Sequence, residues 1–239
     1  MTILEEALDI PYEGRAHIPC SIWSASTRPR GVVLLGHGLG VDRFDSTVRV
    51  PVEILAEEHH AAVVVPEIPL HGVRAMADDD PAGIVDRWQR FWIGGGMESV
   101  AAELDLLTRF CRQRFEYLPI AYFGLSLGTQ YGVPFLAQTE GVGSAVLGLF
   151  GSQPAPKTPV MNRFAPAVRC PVYFIQKLDD EIHSAESTTH LFSTLGATEK
   201  VLDSTSGTHR QTSMQSLRSA CTFLVSRAQF VQLGPSRRA

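Results

Sequence analysis

The sequence predicts an α/β protein, a three-layer α/β/α sandwich in which a mostly parallel sheet lies between two layers of helices. The first observation is a set of short apolar runs, rich in β-branched or aromatic residues, that have the composition of strands buried on both faces. The runs lie at 31–36, 61–68, 119–124, 144–151 and 171–176. Strands of this kind are typical of a parallel sheet with both faces covered.

The second observation is that stretches with helical spacing of apolar residues lie between these runs. They cover 48–59, 97–115 and 185–195. The alternation of strand and helix favours βαβ units with right-handed crossovers, and therefore a parallel sheet. The first thirty residues fit two antiparallel edge strands. The 239 residues are expected to form one domain, 1–239.

The composition narrows the function classes. Hydrophobic residues make up 44% of the chain and charged residues 19%, which is sufficient for a sizeable core. The net charge is −4 and acids and bases are interspersed, so no surface for nucleic acid or for an anionic membrane is expected. The N-terminal segment carries acids where a secretory signal carries bases, and no apolar run has the length of a bilayer span. We therefore expect a cytoplasmic protein with a small-molecule partner.

The four cysteines are expected to be buried, reduced thiols. Cys20, Cys111, Cys170 and Cys221 lie far apart and show neither a CxxC pair nor the spacing of Cys and His zinc ligands. Because such spacing is the usual sequence signal for a structural metal or a disulfide framework, neither is predicted.

The strongest chemical signal follows the run at 119–124. Gly124, Leu125, Ser126, Leu127 and Gly128 form a GxSxG motif between a predicted strand and a predicted helix. A nucleophile on such a sharp turn has strained backbone geometry, and only very small residues fit two positions before and after it. The helix N-terminus also favours negative charge near the reacting carbon. The motif therefore predicts Ser126 as a nucleophile and the N–H of Leu127 as an oxyanion donor.

A second oxyanion donor is predicted in the glycine-rich turn after the run at 31–36. This turn has the sequence Gly-His-Gly-Leu-Gly over residues 36–40, and its flexible backbone can present the N–H of Leu39 towards the serine. Losing one such donor typically costs about 2.7–4 kcal/mol of transition-state stabilisation, so a hydrolase needs both turns. We interpret His37 as a histidine that shapes the turn.

A carboxylate that orients the histidine is expected after the run at 171–176. Asp179, Asp180 and Glu181 stand just past this strand, where such an acid would hold the histidine tautomer and stabilise the imidazolium. Any of the three could instead be a solvated loop charge. We favour Asp180 because the start of the following helix aligns better with it, and Asp179 is the alternative.

The general base is predicted from chain order. Three histidines follow the acid: His183, His190 and His209. His190 lies inside a predicted helix, and His183 is adjacent to the acid, from where it reaches Ser126 poorly. His209 lies in a loop before the final helix. The order Ser126, Asp180, His209 is the order Ser, Asp, His expected of a serine on such a strand-to-helix turn.

These motifs together resemble the α/β-hydrolase superfamily, and most closely its small dienelactone-hydrolase-like serine esterases. The segments that carry the resemblance are GHGLG, PEIPLHG, GLSLG, LDDEI and GTH, spread over nearly the whole chain. The resemblance implies hydrolysis through an acyl-enzyme, with no cofactor. Three features depart from the family: a serine replaces the cysteine of dienelactone hydrolases proper, the HGGG run of one esterase group is absent, and Pro134 falls in the helix after Ser126. This helix should therefore be short or kinked.

An insertion near 72–97 follows a strand carboxyl end and could roof the site. It contains Trp88, Phe91 and Trp92, followed by three glycines at 94–96. Our hypothesis is that the aromatic rings line a substrate pocket and that the glycines permit movement. The alternative is that the rings only pack the insertion onto the body of the protein.

The sequence thus predicts a serine hydrolase for an ester, thioester or lactone of a small substrate. The main rival is a ligand-binding protein that keeps the fold without turnover, but simple binding does not need the set Ser126, His209 and Asp180. A peptidase or thioesterase differs only in pocket shape, which the sequence does not show. A dehalogenase is disfavoured because that chemistry resembles a carboxylate at the position of the serine.

Overall fold

The computed structural model of the protein describes residues 2–12, 14, 16–75 and 83–231. The strands are β1 (Leu4–Ile10), β2 (Ile18–Ser24), β3 (Val32–Gly36), β4 (Ala62–Pro66), β5 (Ile120–Gly124), β6 (Val142–Gly148), β7 (Val172–Lys177) and β8 (Lys200–Thr205). They form one sheet in the order β1-β2-β4-β3-β5-β6-β7-β8. The first two junctions, β1 with β2 and β2 with β4, are antiparallel, and all later ones are parallel.

Seven α-helices lie between or after these strands in the described residues. They are α1 (Ser46–Glu53), α2 (Ile84–Phe91), α3 (Met97–Arg114), α4 (Leu127–Gln138), α5 (Pro159–Phe164), α6 (Ala185–Thr194) and α7 (Met214–Arg227). A π-helical turn, Ile54–Glu58, extends α1, so the predicted helix at 48–59 corresponds to both elements. No helix among the described residues has the length and apolar character needed to cross a membrane.

The helices cover both faces of the sheet. Val32 and Leu34 belong to a core cluster that includes residues of α3 and α4, whereas Val33 and Leu35 belong to a second cluster with residues of α1 and α7. Successive side chains of a strand point to opposite faces, so these clusters are the two sides of one sheet. The predicted three-layer arrangement is confirmed.

Several sequence-based boundaries need correction. β6 (Val142–Gly148) begins before residue 144, where the predicted run starts, and ends before residue 151, because the chain turns at Gly148 with φ +141°. β8 was not predicted as a strand, since an edge strand shows the partly exposed pattern that lacks a continuous apolar run. Of the two N-terminal strands, only β1 lies at the edge of the sheet.

Pro134 does not end α4. The helix is twelve residues long and continues for four residues beyond the proline. The expectation of a helix cut short at this position is therefore wrong, and the alternative, a kink at Pro134, stays a prediction. A proline removes one backbone donor, but burial of its neighbours Val133 and Phe135 in the core stabilises the helix through packing.

Candidate active site

Ser126 lies on the turn between β5 and α4. Its backbone has φ 55° and ψ −119°, a strained conformation for a residue with a side chain, and its N–H donates to the Gly148 carbonyl at 2.9 Å. A Cβ at Gly124 would lie 2.6 Å from the Gly128 carbonyl oxygen, and one at Gly128 would lie 2.7 Å from the Gly36 oxygen. Both glycines of the motif are therefore required by close backbone contacts.

The structure brings together the three side chains predicted from the sequence. His209 Nε2 lies 2.9 Å from Ser126 Oγ, and His209 Nδ1 lies 2.8 Å from Asp180 Oδ2. With the proton on Nδ1 donated to the carboxylate, Nε2 is free to accept the serine hydroxyl proton. The hydroxyl, the imidazole and the carboxylate thus form one continuous line of hydrogen bonds, and His209 is almost fully buried.

Asp180 is held in its charged form. Burial alone would raise the pKa of this carboxyl, but hydrogen bonds from the His183 N–H, the His209 ring and the Ile182 N–H outweigh it and lower the pKa. Oδ1 accepts both backbone N–H groups, at 2.8 and 2.9 Å, and leaves Oδ2 for the imidazole. The carboxylate is therefore both ionised and oriented.

The two acids beside Asp180 hold the backbone of the histidine loop, which we define as residues 205–212. Asp179 Oδ2 accepts from the Gly207 N–H at 2.9 Å, and Glu181 Oε2 accepts from the N–H of His209 at 3.0 Å. Accepting the His209 N–H lowers the pKa of Glu181. The structure therefore brings Asp180, and not the alternative Asp179, to the imidazole. The role of Glu181 in holding the loop was not foreseen, because nothing in the sequence pairs it with residue 209.

The two predicted oxyanion donors, Leu39 and Leu127, line the same cavity as Ser126. Leu127 is the first residue of α4, and Leu39 lies in the turn at 36–40, which we call the oxyanion turn. Neither residue uses its backbone N–H in a hydrogen bond to another described residue. Both N–H groups are thus available to a ligand beside Ser126.

His37 is buried and holds the oxyanion turn through hydrogen bonds. Its Nδ1 donates to the Gly38 carbonyl at 3.0 Å, and its Nε2 accepts from the N–H of Ile68 at 3.2 Å. The Tyr131 hydroxyl donates to the carbonyl of His37 at 3.1 Å. These contacts agree with the interpretation of His37 as a residue that shapes the turn.

A buried ion pair lies next to His37. Glu67 Oε2 accepts from Arg43 Nη1 at 3.1 Å, and Glu67 Oε1 lies 3.3 Å from His37 Nε2. Arg43 Nε also donates to the hydroxyl of Ser21 at 3.0 Å. Glu67 is only 1% exposed, so its carboxylate is stabilised by Arg43 rather than by water. Sequence reasoning missed Arg43, because a single arginine after a loop carries no signal of its partner.

The site opens into a cavity of about 700 Å³. Of the three aromatic residues predicted to contact substrate, Trp88 lines this cavity. Phe91 and Trp92 do not line it, so that prediction is corrected: their rings pack on Trp88, with centroids 5.4 and 5.8 Å away. Trp88 Nε1 also donates to Gln130 Oε1 at 2.8 Å, which anchors α2 on α4.

The insertion near 72–97 is described only in part, because residues 76–82 lie outside the described ranges. Its second half is α2 followed by a π-helical turn, Trp92–Gly96, that leads directly into α3. Gly95 has φ +96°, so the chain bends between the two helices. Movement at these glycines stays a prediction.

The imidazole rings of the other two candidate bases, His183 and His190, are not part of the hydrogen-bonded line. His183 lines the cavity with its ring 6.0 Å from that of His209, and burial lowers its pKa. His190 Nδ1 lies 2.8 Å from the hydroxyl of Ser152, and neither residue lines the cavity. Within the described residues, no cluster of three or more His, Cys, Asp or Glu side chains could hold a metal ion.

Comparison with solved structures shows three informative likenesses. A cold-adapted esterase from an Arctic intertidal metagenomic library is 27% identical to the chain, with a TM-score of 0.82 and 94% of each chain covered. A dienelactone hydrolase from Anabaena variabilis is 16% identical, with a TM-score of 0.70 over 96% of this chain and 99% of that one. A Pyrococcus furiosus esterase is 14% identical, with a TM-score of 0.70 over 94% and 90%.

These likenesses define the class: the protein has the α/β-hydrolase fold. Within this class it resembles small esterases and dienelactone hydrolases, which confirms the resemblance drawn from the sequence motifs. No protein-family model matches the chain, and no curated protein matches it.

Proposed function

We propose that the protein is a serine hydrolase that cleaves a carboxylic ester, thioester or lactone of a small substrate through an acyl-enzyme on Ser126. The observation that carries the proposal is the hydrogen-bonded line from Ser126 Oγ through His209 to Asp180, with distances of 2.9 and 2.8 Å. The likeness to an esterase at 27% identity supports it. A protein that only binds a ligand has no need of this line.

In the first half of the reaction, Ser126 Oγ attacks the substrate carbonyl while His209 Nε2 takes the hydroxyl proton. The Asp180 carboxylate stabilises the imidazolium that results, and the N–H groups of Leu39 and Leu127 stabilise the oxyanion. When the tetrahedral intermediate collapses, His209 returns the proton to the leaving group. The alcohol or thiol departs, or, for a lactone, the ring opens and the new hydroxyl stays on the acyl chain; in each case the acyl group stays on Ser126.

In the second half, a water molecule attacks the acyl-enzyme. His209 Nε2 removes a proton from this water and then gives it to Ser126 Oγ as the second tetrahedral intermediate collapses. The acid product leaves and the serine hydroxyl is restored.

The first experiment compares Ser126→Ala with the wild-type protein, using p-nitrophenyl acetate and a fluorophosphonate probe. We expect loss of labelling and a fall in kcat of about 10⁴- to 10⁶-fold, because the nucleophile is removed. Ser152→Ala is the matched control, since Ser152 also pairs with a histidine but lies outside the cavity. It should keep wild-type turnover. Equal turnover in wild type and Ser126→Ala would contradict the proposal.

The second experiment separates the two candidate acids. Asp180→Asn should lower kcat by about 10⁴-fold, because an amide favours the wrong imidazole tautomer and cannot stabilise the imidazolium. Asp179→Asn should have a far smaller effect, since among the described residues Asp179 Oδ2 accepts from the Gly207 N–H and not from the imidazole. If the two variants exchange these results, Asp179 is the acid that acts on His209.

A further inference from the structure

The cavity beside Ser126 reaches both faces of the sheet. Leu39 and Trp88, which line it, belong with the core cluster of α3 and α4. Val48 and Leu217 also line it, but they belong to the cluster of α1 and α7 on the opposite face. A cavity of about 700 Å³ falls within the range that holds drug-sized ligands. It is therefore larger than an acetyl group and a small alcohol would need.

The part of the cavity on the α1 and α7 face is strongly apolar. We call it the α1–α7 branch, and its apolar walls are Leu35, Val48, Val50, Leu125, Met214 and Leu217. Among the residues that line the cavity, the polar side chains within two positions of Val48 and Met214 are the uncharged hydroxyls of Ser46, Thr47 and Thr212. Such a surface gains free energy when an apolar group displaces water from it.

Charged groups are scarce around the whole cavity. No Asp, Glu or Lys is among the described residues that line it, and its one arginine, Arg210, is exposed to solvent. A carboxylate that enters an apolar site needs a paired cation, because burial of an isolated charge is strongly unfavourable. None of the six residues that define the α1–α7 branch is a cation.

We propose that the α1–α7 branch binds an uncharged apolar group of the substrate, an aliphatic chain or a ring several carbons in size. This inference rests on the proposed function and adds the substrate class: neutral esters with one extended hydrophobic portion. When Ser126 attacks the ester, this portion would lie against α1 and α7, while the other portion of the substrate faces Trp88 and Gln130.

The test uses two ester series that differ in where the chain is extended. One series is p-nitrophenyl acetate, butanoate, hexanoate and octanoate, and the other is methyl, butyl and hexyl acetate followed by acid release. In one of them kcat/KM should rise about fourfold per added methylene until the branch is full. Flat profiles in both series would overturn the inference. If wild type hydrolyses the acetate but shows flat profiles, only the inference fails, whereas no Ser126-dependent turnover of any ester would defeat the proposed function.

The charge preference is tested with a matched pair of substrates. Mono-p-nitrophenyl adipate has a terminal carboxylate where p-nitrophenyl hexanoate has a methyl group. We expect kcat/KM at least about tenfold lower for the anion, from the unfavourable burial of its charge. A preference for the anion that disappears in Arg210→Gln would overturn the inference, because Arg210 would then select charged substrates.

The position of the branch is tested with Met214→Glu, which places a charge at the start of α7. Met214 is 46% exposed, so the variant should fold, and labelling by the fluorophosphonate probe checks this. We expect the gain per methylene to fall from about fourfold towards onefold. Val201→Glu is the control, because Val201 is similarly exposed on β8 and lies outside the cavity. An unchanged chain-length profile in Met214→Glu would show that the branch is not the binding site.

Discussion

The two loops that bring groups to Ser126 are held in opposite ways. The histidine loop is tied by carboxylates at the protein surface, with Asp179 on the Gly207 N–H and Glu181 on the His209 N–H. The oxyanion turn rests instead on buried side chains, with His37 beside the Arg43 and Glu67 pair. The difference is one of solvent: water can replace a lost bond in the first loop but not in the second.

This comparison teaches where the site is vulnerable. A buried charge whose partner is removed stays unpaired in a medium of low dielectric, whereas an exposed pair contributes little because water and ions screen it. We therefore expect few substitutions to be tolerated at the buried residues that support the oxyanion turn, His37, Arg43 and Glu67. The histidine loop should tolerate many, provided that Asp180 itself is kept.

The largest effect is expected from Arg43→Met, which leaves the Glu67 carboxylate buried without its cation. We expect the free energy of unfolding to fall by about 3–5 kcal/mol. In material that stays folded, kcat should fall more than KM rises, because in the proposed mechanism the turn presents the N–H of Leu39 to the transition state. Urea unfolding and steady-state kinetics measure the two effects.

Arg218→Met is the matched control for this prediction. Arg218 donates to Glu58 at 3.0 Å, a similar distance, but both side chains are exposed. Its loss should change the free energy of unfolding by less than about 1 kcal/mol. Similar losses in the two variants would remove the distinction between the two regions.

The next effect concerns pH and the buried region. His71 packs against His37 and Trp88. Burial lowers its pKa to about 4, an effect that the hydrogen bond to the Pro69 carbonyl and the nearby Glu67 carboxylate only partly offset. Below pH 6.5 the unfolded chain therefore binds a proton that the folded protein does not, so stability is lost as pH falls towards 4. Between pH 6.5 and 5 this loss should be roughly 2 kcal/mol.

The check is urea unfolding of wild type and His71→Phe at both pH values. From pH 6.5 to 5, the free energy of unfolding should fall by roughly 2 kcal/mol less in the variant than in wild type. Asp180 does not interfere, because its lowered pKa links to stability only below the ordinary range of a carboxyl group. Parallel slopes in the two proteins would show that His71 is protonated equally in both states.

The smallest effect is expected from losing the hydrogen bond between the His209 N–H and the exposed side chain of Glu181 in the histidine loop. Glu181→Gln keeps an oxygen that can accept the N–H of His209, so kcat should stay near the wild-type value. Glu181→Ala removes this acceptor and should lower kcat by less than about tenfold, since water can take its place. A rescue by glutamine marks Glu181 as a positioning residue. A fall in kcat of Glu181→Ala as large as that of Asp180→Asn would mean that this hydrogen bond is as critical as the Asp180 carboxylate.

The elements that sequence reasoning located best were those with a continuous local signal. β3, β4, β5 and β7 are buried on both faces, so their apolar runs stand out from the loops around them. The partly exposed edge strand β8 lacks such a run and was missed. The helix α4 shows the opposite error, since tertiary packing sustains it beyond Pro134 against its local propensity.

In the site, the local signals were the small residues around Ser126 and the order of the serine, the acid and the histidine along the chain. The order was sufficient to choose His209, and the start of the helix that follows favoured Asp180 over Asp179. They did not separate Trp88 from Phe91 and Trp92, because three aromatic residues of one short segment look alike until their neighbours are known. Only Trp88 faces the cavity, and the other two rings support it.

The sequence by itself determined the layered fold, the strained turn at Ser126 and the order of the serine, the acid and the histidine, because each of these is given by local patterns and their order along the chain. The tertiary structure alone decided which carboxylate meets the imidazole, that Arg43 lies beside Glu67, and that the cavity reaches α1 and α7. These depend on distances between side chains many residues apart. No local pattern records such distances, since packing of the whole sheet and its helices sets them.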